Sequence, residues 1–434
     1  MKYLFLTLFV FSIAIRSGMA QNTSIETALF ELPDVIFQEI TNGGNFEKTY
    51  ELRIKQPLDH SNPGKGYFYQ RAFLSHKDFD QPTVMYISGY SQRGVYETEV
   101  TQLLNANQIS IEHRFFGESL PDTMDYNYLT LEQATADLHY INQLFRRIYS
   151  GKWLSTGISK GGATTVFYKY FYPGDVDAGI PYVAPINREF EEKRLTTFLD
   201  TIGSDACRAK ILAFQKRMFK HRDEVIPLLK MYAKGAQLKF AYLSFEEAFE
   251  YSVLEYPFAF WQYGASCDEI PSKNSSMAEA AEYLMKISDI RLFSDNDIDY
   301  YLPHYYQSAS QMGYYGYDTD NFKKDLKALP LQPHPHAAIV PDRVPVKFDG
   351  SLLTKVNKWV ETDGNQLMYL YGAIDTWTAA GVPPSEKVDA VWFFMKGKDH
   401  ATARYSQMTP DEMAKFITTL ERWLDIKIEN TEIK

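Results

Sequence analysis

A mostly parallel β-sheet with helices on both faces and an inserted helical segment is the architecture this sequence predicts, and three observations predict it. Residues 49–55 and 67–74 alternate between apolar and polar side chains, as paired antiparallel strands do. After them, short apolar runs alternate with helical periodicity, the pattern of a parallel sheet wrapped by helices. The third observation is residues 154–162, where Gly157-x-Ser159-x-Gly161 lies between a buried strand at 151–156 and a helix at 162–170 that opens with small residues. Strand, tight turn and helix with Ser at the apex form the nucleophile elbow of an α/β-hydrolase. Its flanking positions must be Gly or very small, because the serine backbone is strained and its neighbours are close. A Gly-rich turn with an incidental serine is the reading that the pentapeptide alone leaves open.

The elements follow in order. Tyr50, Leu52 and Ile54 alternate with Glu51, Arg53 and Lys55, and the turn formers Asp59, Asn62, Pro63 and Gly64 separate this strand from the next. Residues 82–90 and 107–117 read as buried strands that run into loops. The period then changes: Leu131, Ala134, Leu138, Ile141, Phe145 and Ile148 form the stripe of an amphipathic helix, with Thr130 and Gln133 as its expected capping box. Residues 177–185 give one more strand. From about Arg188 to Pro345 the strand signal disappears, and helical patterns at 209–218, 225–232, 245–256, 277–287 and 297–312 are interleaved with aromatics. The sheet resumes at 365–372 and 390–395. A last helix is opened by Thr409-Pro410-Asp411-Glu412, with Met413, Phe416, Ile417, Leu420 and Leu424 as its buried stripe. The predicted organisation is a leader at 1–20, a hydrolase domain in two parts at 21–187 and 346–434, and a helical cap at 188–345.

Composition bounds the compartment and the partners. Of 434 residues, 45% are hydrophobic and 23% charged, as in a globular domain with a large core. Lys2, an apolar run to Ile15 and the small residues Gly18, Met19 and Ala20 describe a secretory signal with cleavage before Gln21, an uncleaved anchor being the competing reading. The expected location is therefore secreted or periplasmic, with no membrane association after cleavage. A formal net charge of −10, more acidic still once Lys2 and Arg16 are removed, argues against nucleic acid as a partner. The two cysteines, Cys207 and Cys267, invite one disulfide in an oxidising compartment; two buried thiols are the alternative.

A serine hydroxyl is a poor nucleophile until a histidine takes its proton and a carboxylate fixes that histidine. In this fold the order is Ser, acid, His, each after a strand. His221, His304, His334, His336 and His400 follow Ser159, and the first four fall in the expected cap. His400 directly follows the strand at 390–395, and Asp375 follows the strand at 365–372, a turn or helix-cap aspartate being its competing role; Asp399 also follows a strand but adjoins His400 in sequence, an unusual place for an orienter. The expected triad is Ser159, Asp375 and His400. The oxyanion donors are expected at the Lys160 backbone and, after the strand at 82–87, at Gly89 or Tyr90. Glu112, His113 and Arg114 read as a buried cluster that positions loops. His334-Pro335-His336 lacks a third metal ligand, and no phosphate loop, dinucleotide fingerprint or H-E-x-x-H motif is present. No metal or cofactor is implied.

Residues 111–121, Ile-Glu-His-Arg-Phe-Phe-Gly-Glu-Ser-Leu-Pro, resemble the E-H-R-[FY]-[FY]-G-x-S-x-P signature of the proline-directed serine peptidases, the group of prolyl carboxypeptidase and dipeptidyl peptidase II. Residues 128–134 and the acid loop Asp375-x-Trp377 fit the same group. The elbow at 152–162 is similar to that of the secreted prolyl tri/tetrapeptidyl aminopeptidases, as are residues 171–178, 260–264 and 313–318. The resemblance implies release of short N-terminal peptides after proline, with Ser159, Asp375 and His400 as the triad and peptides with proline near the N-terminus as substrates. One departure weakens any transfer of carboxypeptidase activity: that branch carries Gly-Gly-Ser-Tyr-Gly-Gly, against Thr156-Gly157-Ile158-Ser159-Lys160-Gly161-Gly162 here.

A proline pocket should be apolar and closed, and the aromatic run 256–263 is a candidate lining. Glu246, Glu247, Glu250 and Glu255 are the cap carboxylates available to a substrate ammonium, with solvated surface charge as the competing role of each. A prolyl carboxypeptidase or a carboxylesterase would use the same triad, and proline-linked anilides against acyl esters separate the latter. An inactive binding module is the alternative of another class, distinguished by failure of a serine-reactive phosphonate to label Ser159.

Overall fold

The computed structural model describes residues 24–41, 45–331, 340, 346–429 and 433. The expected leader, the His334–His336 pair and the expected end of the helical segment at Pro345 lie outside them. Among the described residues nine strands form one sheet: β1 (Val35–Glu39), β2 (Lys48–Pro57), β3 (Tyr67–His76), β4 (Thr83–Ile87), β5 (Asn107–Ile111), β6 (Trp153–Ile158), β7 (Ala178–Tyr182), β8 (Met368–Gly372) and β9 (Val391–Met395). Their order is β1-β2-β3-β5-β4-β6-β7-β8-β9. The first three strands and the β3–β5 contact are antiparallel, and every pair from β5 onward is parallel. β4, β5, β7 and β8 are buried at every position, as strands covered on both faces must be.

The helices are α1 (Ile25–Phe30), α2 (Glu99–Leu104), α3 (Leu131–Phe145), α4 (Lys160–Phe171), α5 (Lys193–Thr201), α6 (Asp205–Lys220), α7 (Arg222–Gly235), α8 (Phe245–Gln262), α9 (Met277–Ile287), α10 (Asp295–Gln307), α11 (Ser351–Thr362) and α12 (Pro410–Leu424). α3 covers one sheet face through Leu138, Ile141 and Phe145. α12 covers the other through Phe416, Leu420 and Leu424. This is an α/β-hydrolase fold. Between β7 and β8 the described chain is helical, and α6–α10 bury Phe214, Met218, Phe249, Tyr256, Leu284 and Phe293 in a cluster of their own. Among the described residues no helix is long and apolar enough to cross a membrane. Cys207 and Cys267 are joined in a disulfide, closing a loop of 60 residues worth about 4 kcal/mol on a chain-entropy account.

Several elements differ from expectation. The strand predicted over 107–117 stops at Ile111, because Glu112 and Arg114 carry buried charges into the following turn, where Phe115 takes φ +67°. The strand predicted at 151–156 runs from Trp153 to Ile158 instead. The capping box at α3 is half made: Thr130 accepts from the Gln133 amide, but the Gln133 side chain is drawn to the preceding turn by the His60 N–H and the Asp59 carboxylate. The sequence reading gives no α1, β1, α2, α5 or α11. The α11 signal was available, since Leu352, Val356 and Val360 recur every four residues.

Candidate active site

Ser159 sits at the apex between β6 and α4 with φ +57° and ψ −122°, a region costly to a residue with a side chain. Its own N–H donates to the Tyr182 carbonyl at 2.9 Å, and its carbonyl accepts from Ala163 at 2.8 Å, so the strained unit is held from both sides. The glycines around it are required by proximity. A Cβ on Gly157 would lie 2.4 Å from the Gly161 carbonyl, and one on Gly161 would lie 2.2 Å from the Ile87 carbonyl.

Two loops at the same end of the sheet bring Asp375 and His400 together. Ala373 N–H donates to Met395 at 3.0 Å and Ile374 N–H to Lys398 at 3.1 Å, so the loops after β8 and β9 are hydrogen-bonded backbone to backbone. Gly372 permits this approach, since a Cβ there would meet the Lys398 carbonyl at 2.5 Å. His400 Nδ1 lies 2.7 Å from Asp375 Oδ2, with Asp375 fully buried, and the other carboxylate oxygen accepts from the Trp377 N–H at 3.0 Å. The carboxylate thus fixes Nδ1 as the protonated nitrogen and leaves Nε2 as the acceptor. Both loops are also tied to α8: His400 N–H donates to the Gln262 carbonyl at 3.0 Å, and Thr376 Oγ1 donates to Phe258 at 2.9 Å.

Ser159 and His400 open onto one cavity of about 450 Å³, walled by Phe258, Tyr263, Tyr301, Tyr314 and Trp377 and by Glu255. Phe258 stacks on Tyr315 at 3.9 Å between centroids and meets Trp377 edge-on at 5.1 Å. Of the run 256–263, Phe258, Ala259, Gln262 and Tyr263 face the cavity, whereas Tyr256 and Phe260 turn into the helical core. Of the expected oxyanion donors, Lys160 and Tyr90 line the cavity and Gly89 does not. Gly89 has φ +76° and passes so close to α4 that a Cβ would lie 2.4 Å from the Gly161 nitrogen.

The four carboxylates on α8 separate cleanly. Glu246 pairs with Lys230 at the surface, and Glu247 closes the Ser244 capping box. Glu250 is fully buried against Arg222 and three backbone N–H groups, so surface solvation is not its role. Glu255 is buried too, and it faces the cavity. It accepts from the Tyr315 and Tyr317 hydroxyls at 2.9 and 2.7 Å, and burial pushes its carboxyl up to about 7 against the pull of those two bonds. A helical glutamate looks like surface charge in sequence, which is why nothing singled it out.

Glu112 and Arg114 are structural. Glu112 accepts from Gln92 N–H, Arg71, Glu118 N–H and Ser119 at 2.7 to 2.9 Å, and Arg114 forms a two-pronged pair with Asp137 at 2.7 Å. His304 lines the cavity, and burial lowers its pKa to about 3. His221 pairs with Glu224 at the surface. Among the described residues no cluster suited to a metal ion is found.

A family model described as PS-10 peptidase S37 matches residues 21–430. A prolyl tri/tetrapeptidyl aminopeptidase of Streptomyces mobaraensis is 30% identical over 94% of this chain and 86% of its own length. The human lysosomal Pro-X carboxypeptidase is 32% identical over a stretch covering 20% of each chain. Among solved structures, a proline iminopeptidase of Mycobacterium smegmatis aligns with a TM-score of 0.41 at 12% identity, over 86% of this chain and 98% of that one.

Proposed function

The chain belongs to the peptidase S37 family and is a serine peptidase that hydrolyses peptide bonds; on that premise we propose that it is a secreted exopeptidase that releases tri- and tetrapeptides ending in proline from free N-termini. The observation that carries this reading is the buried Glu255 carboxylate in the same aromatic cavity as Ser159 and His400. A carboxylate short of a cation is suited to the ammonium of a peptide N-terminus, and a carboxypeptidase would need the opposite charge. Apolar walls built from Phe258, Tyr314 and Trp377 suit a proline ring, which offers no N–H to bind.

In the proposed mechanism Ser159 Oγ attacks the proline carbonyl carbon while His400 Nε2 takes its proton. Asp375 stabilises the resulting imidazolium through Nδ1. The oxyanion is received by the backbone N–H groups of Lys160 and Tyr90. His400 then protonates the leaving amine, the C–N bond breaks, and the shortened chain departs. Water, deprotonated by the same histidine, hydrolyses the acyl-enzyme and regenerates Ser159. The helical segment over the sheet acts as a cap that limits entry to chain ends, and the leader at 1–20 directs secretion.

Ser159→Ala tests the chemistry. It should lower turnover by roughly 10⁴-fold or more with the fold intact, read as hydrolysis of a proline-linked anilide alongside circular dichroism. Turnover comparable to wild type in the folded variant would reject Ser159 as nucleophile.

A further inference from the structure

The residue after the proposed nucleophile carries an amine that the mechanism above does not use. Lys160 is 2% exposed, and its Nζ donates to the Gly89 carbonyl at 2.8 Å. The Tyr90 and Phe116 rings each lie 5.5 Å from it. Among the described residues no carboxylate pairs with it. Burial pushes its pKa well below the usual lysine range, and the buried His113 and His304 are lowered in part by its proximity. A buried lysine without a counter-ion is unfavourable as core filling, since a methionine of nearly the same shape would fill the space without desolvating an amine. Its one partner is therefore informative.

That partner belongs to the loop that carries Tyr90. A trans peptide holds its C=O and N–H in one plane, pointing in opposite directions. Fixing the Gly89 carbonyl on Lys160 Nζ therefore also fixes the direction of the Tyr90 N–H. The next peptide is tied as well, because the Tyr90 carbonyl accepts from the His113 N–H at 3.0 Å. Among the described residues neither the Tyr90 N–H nor the Lys160 N–H donates to a protein acceptor, and both residues line the cavity with Ser159. We infer that the Lys160 side chain is a positioning residue for oxyanion binding: its hydrogen bond to Gly89 aims the Tyr90 N–H at the site served by the backbone N–H of Lys160 itself. One residue then supplies one donor directly and orients the other. The inference rests on Ser159 as nucleophile and is independent of the preference for proline.

Lys160→Met and Lys160→Gln test it in the full chain. Loss of a single oxyanion donor lowers kcat by roughly 10²–10³-fold, so a loosened donor should cost about 10- to 100-fold in the Met variant, with KM within about threefold. The glutamine side chain keeps an N–H donor on a stem one bond shorter, and its loss should be smaller, about 3- to 10-fold. The inhibition constant of a prolyl boronate, whose adduct is tetrahedral, should worsen by the same factor as kcat in each variant. The rate at which a fluorophosphonate labels Ser159 should fall in parallel, and this readout stands whatever the peptide preference proves to be. A Met variant that labels and turns over at the wild-type rate overturns the inference. So does an equal loss in both variants, or a rise in KM with kcat unchanged. Should the Met variant not fold, the Gln variant decides alone: kcat and boronate affinity falling by a common factor support the inference, and unchanged kcat overturns it.

Discussion

The two halves of α8 carry buried glutamates five residues apart, and they are treated oppositely. In the first half Glu250 meets Arg222 and the N–H groups of Lys327, Ala328 and Leu329, so its charge is neutralised and every lone pair is engaged. In the second half Glu255 receives two tyrosine hydroxyls and, among the described residues, no cation, and it faces the cavity that Ser159 and His400 share. Pro257 lies just beyond Glu255. It leaves the Val253 carbonyl without its helical partner, and Gln215 Nε2 takes that place at 2.8 Å. Past the proline two carbonyls reach the catalytic loops: Phe258 accepts from Thr376 Oγ1 and Gln262 from the His400 N–H. The first half is architecture. The second half carries a buried carboxylate that faces the cavity, where the proposed substrate ammonium would complete it.

The largest expected effect sharpens the structural side of this contrast. Glu250→Ala strands the Arg222 guanidinium and three backbone N–H groups in the interior, and it should destabilise the fold by about 3–5 kcal/mol, measured by denaturant unfolding. A loss under about 1 kcal/mol would remove the contrast.

Glu255→Gln should behave in the opposite sense. A carboxyl raised from its ordinary 4.5 to about 7 favours the protonated form in the fold, so stability falls as pH rises through that interval. The penalty at pH 8 is about 3 kcal/mol at most, and the glutamine variant escapes it. The variant should therefore melt no lower than wild type at pH 8, while KM for free-amine peptides rises about 10- to 100-fold, the loss of one charge-assisted contact. A drop in melting temperature with KM unchanged would make Glu255 another structural acid.

The same titration predicts a pH signature. Tyr315 and Tyr317 are the polar groups bonded to Glu255, and neither ionises near neutrality because burial raises both. KM for free-amine substrates should then fall as pH rises through about 7, while the inhibition constants of N-acetylated analogues, which bind without being cleaved, stay flat. Parallel curves for the two peptide sets would refute the carboxylate–ammonium contact.

The smallest effect concerns the ties from α8 to the catalytic loops. Thr376→Val removes the bond to the Phe258 carbonyl and should cost about 1 kcal/mol of stability, with a few-fold lower kcat at constant KM. Loss of KM alone would separate that tie from the chemistry.

Much of this arrangement was legible in the sequence, and the gaps have physical reasons. The strand–turn–helix around Ser159 is a local pattern, and Asp375 and His400 each follow an apolar strand, so their elements could be read without tertiary information. The sheet was legible for the same reason: β4, β7 and β8 are short runs, apolar but for Thr83. Glu255 and Glu250 could not be told apart, because what distinguishes them comes from residues 28 to 79 positions away. The buried Lys160 side chain was equally hidden, since the glycine that receives its hydrogen bond lies 71 residues earlier. The half-made capping box at Thr130 failed for a related reason, its glutamine being claimed by a turn that packs alongside only in the folded chain.

The most direct test is to incubate the purified protein with proline-containing tetra- to hexapeptides, each with a free or an acetylated N-terminus, and to identify the products by mass. Release of an N-terminal tri- or tetrapeptide ending in proline, from the free-amine peptides only, is the predicted result. Trimming from the carboxyl end, or equal cleavage of acetylated and free peptides, would contradict it.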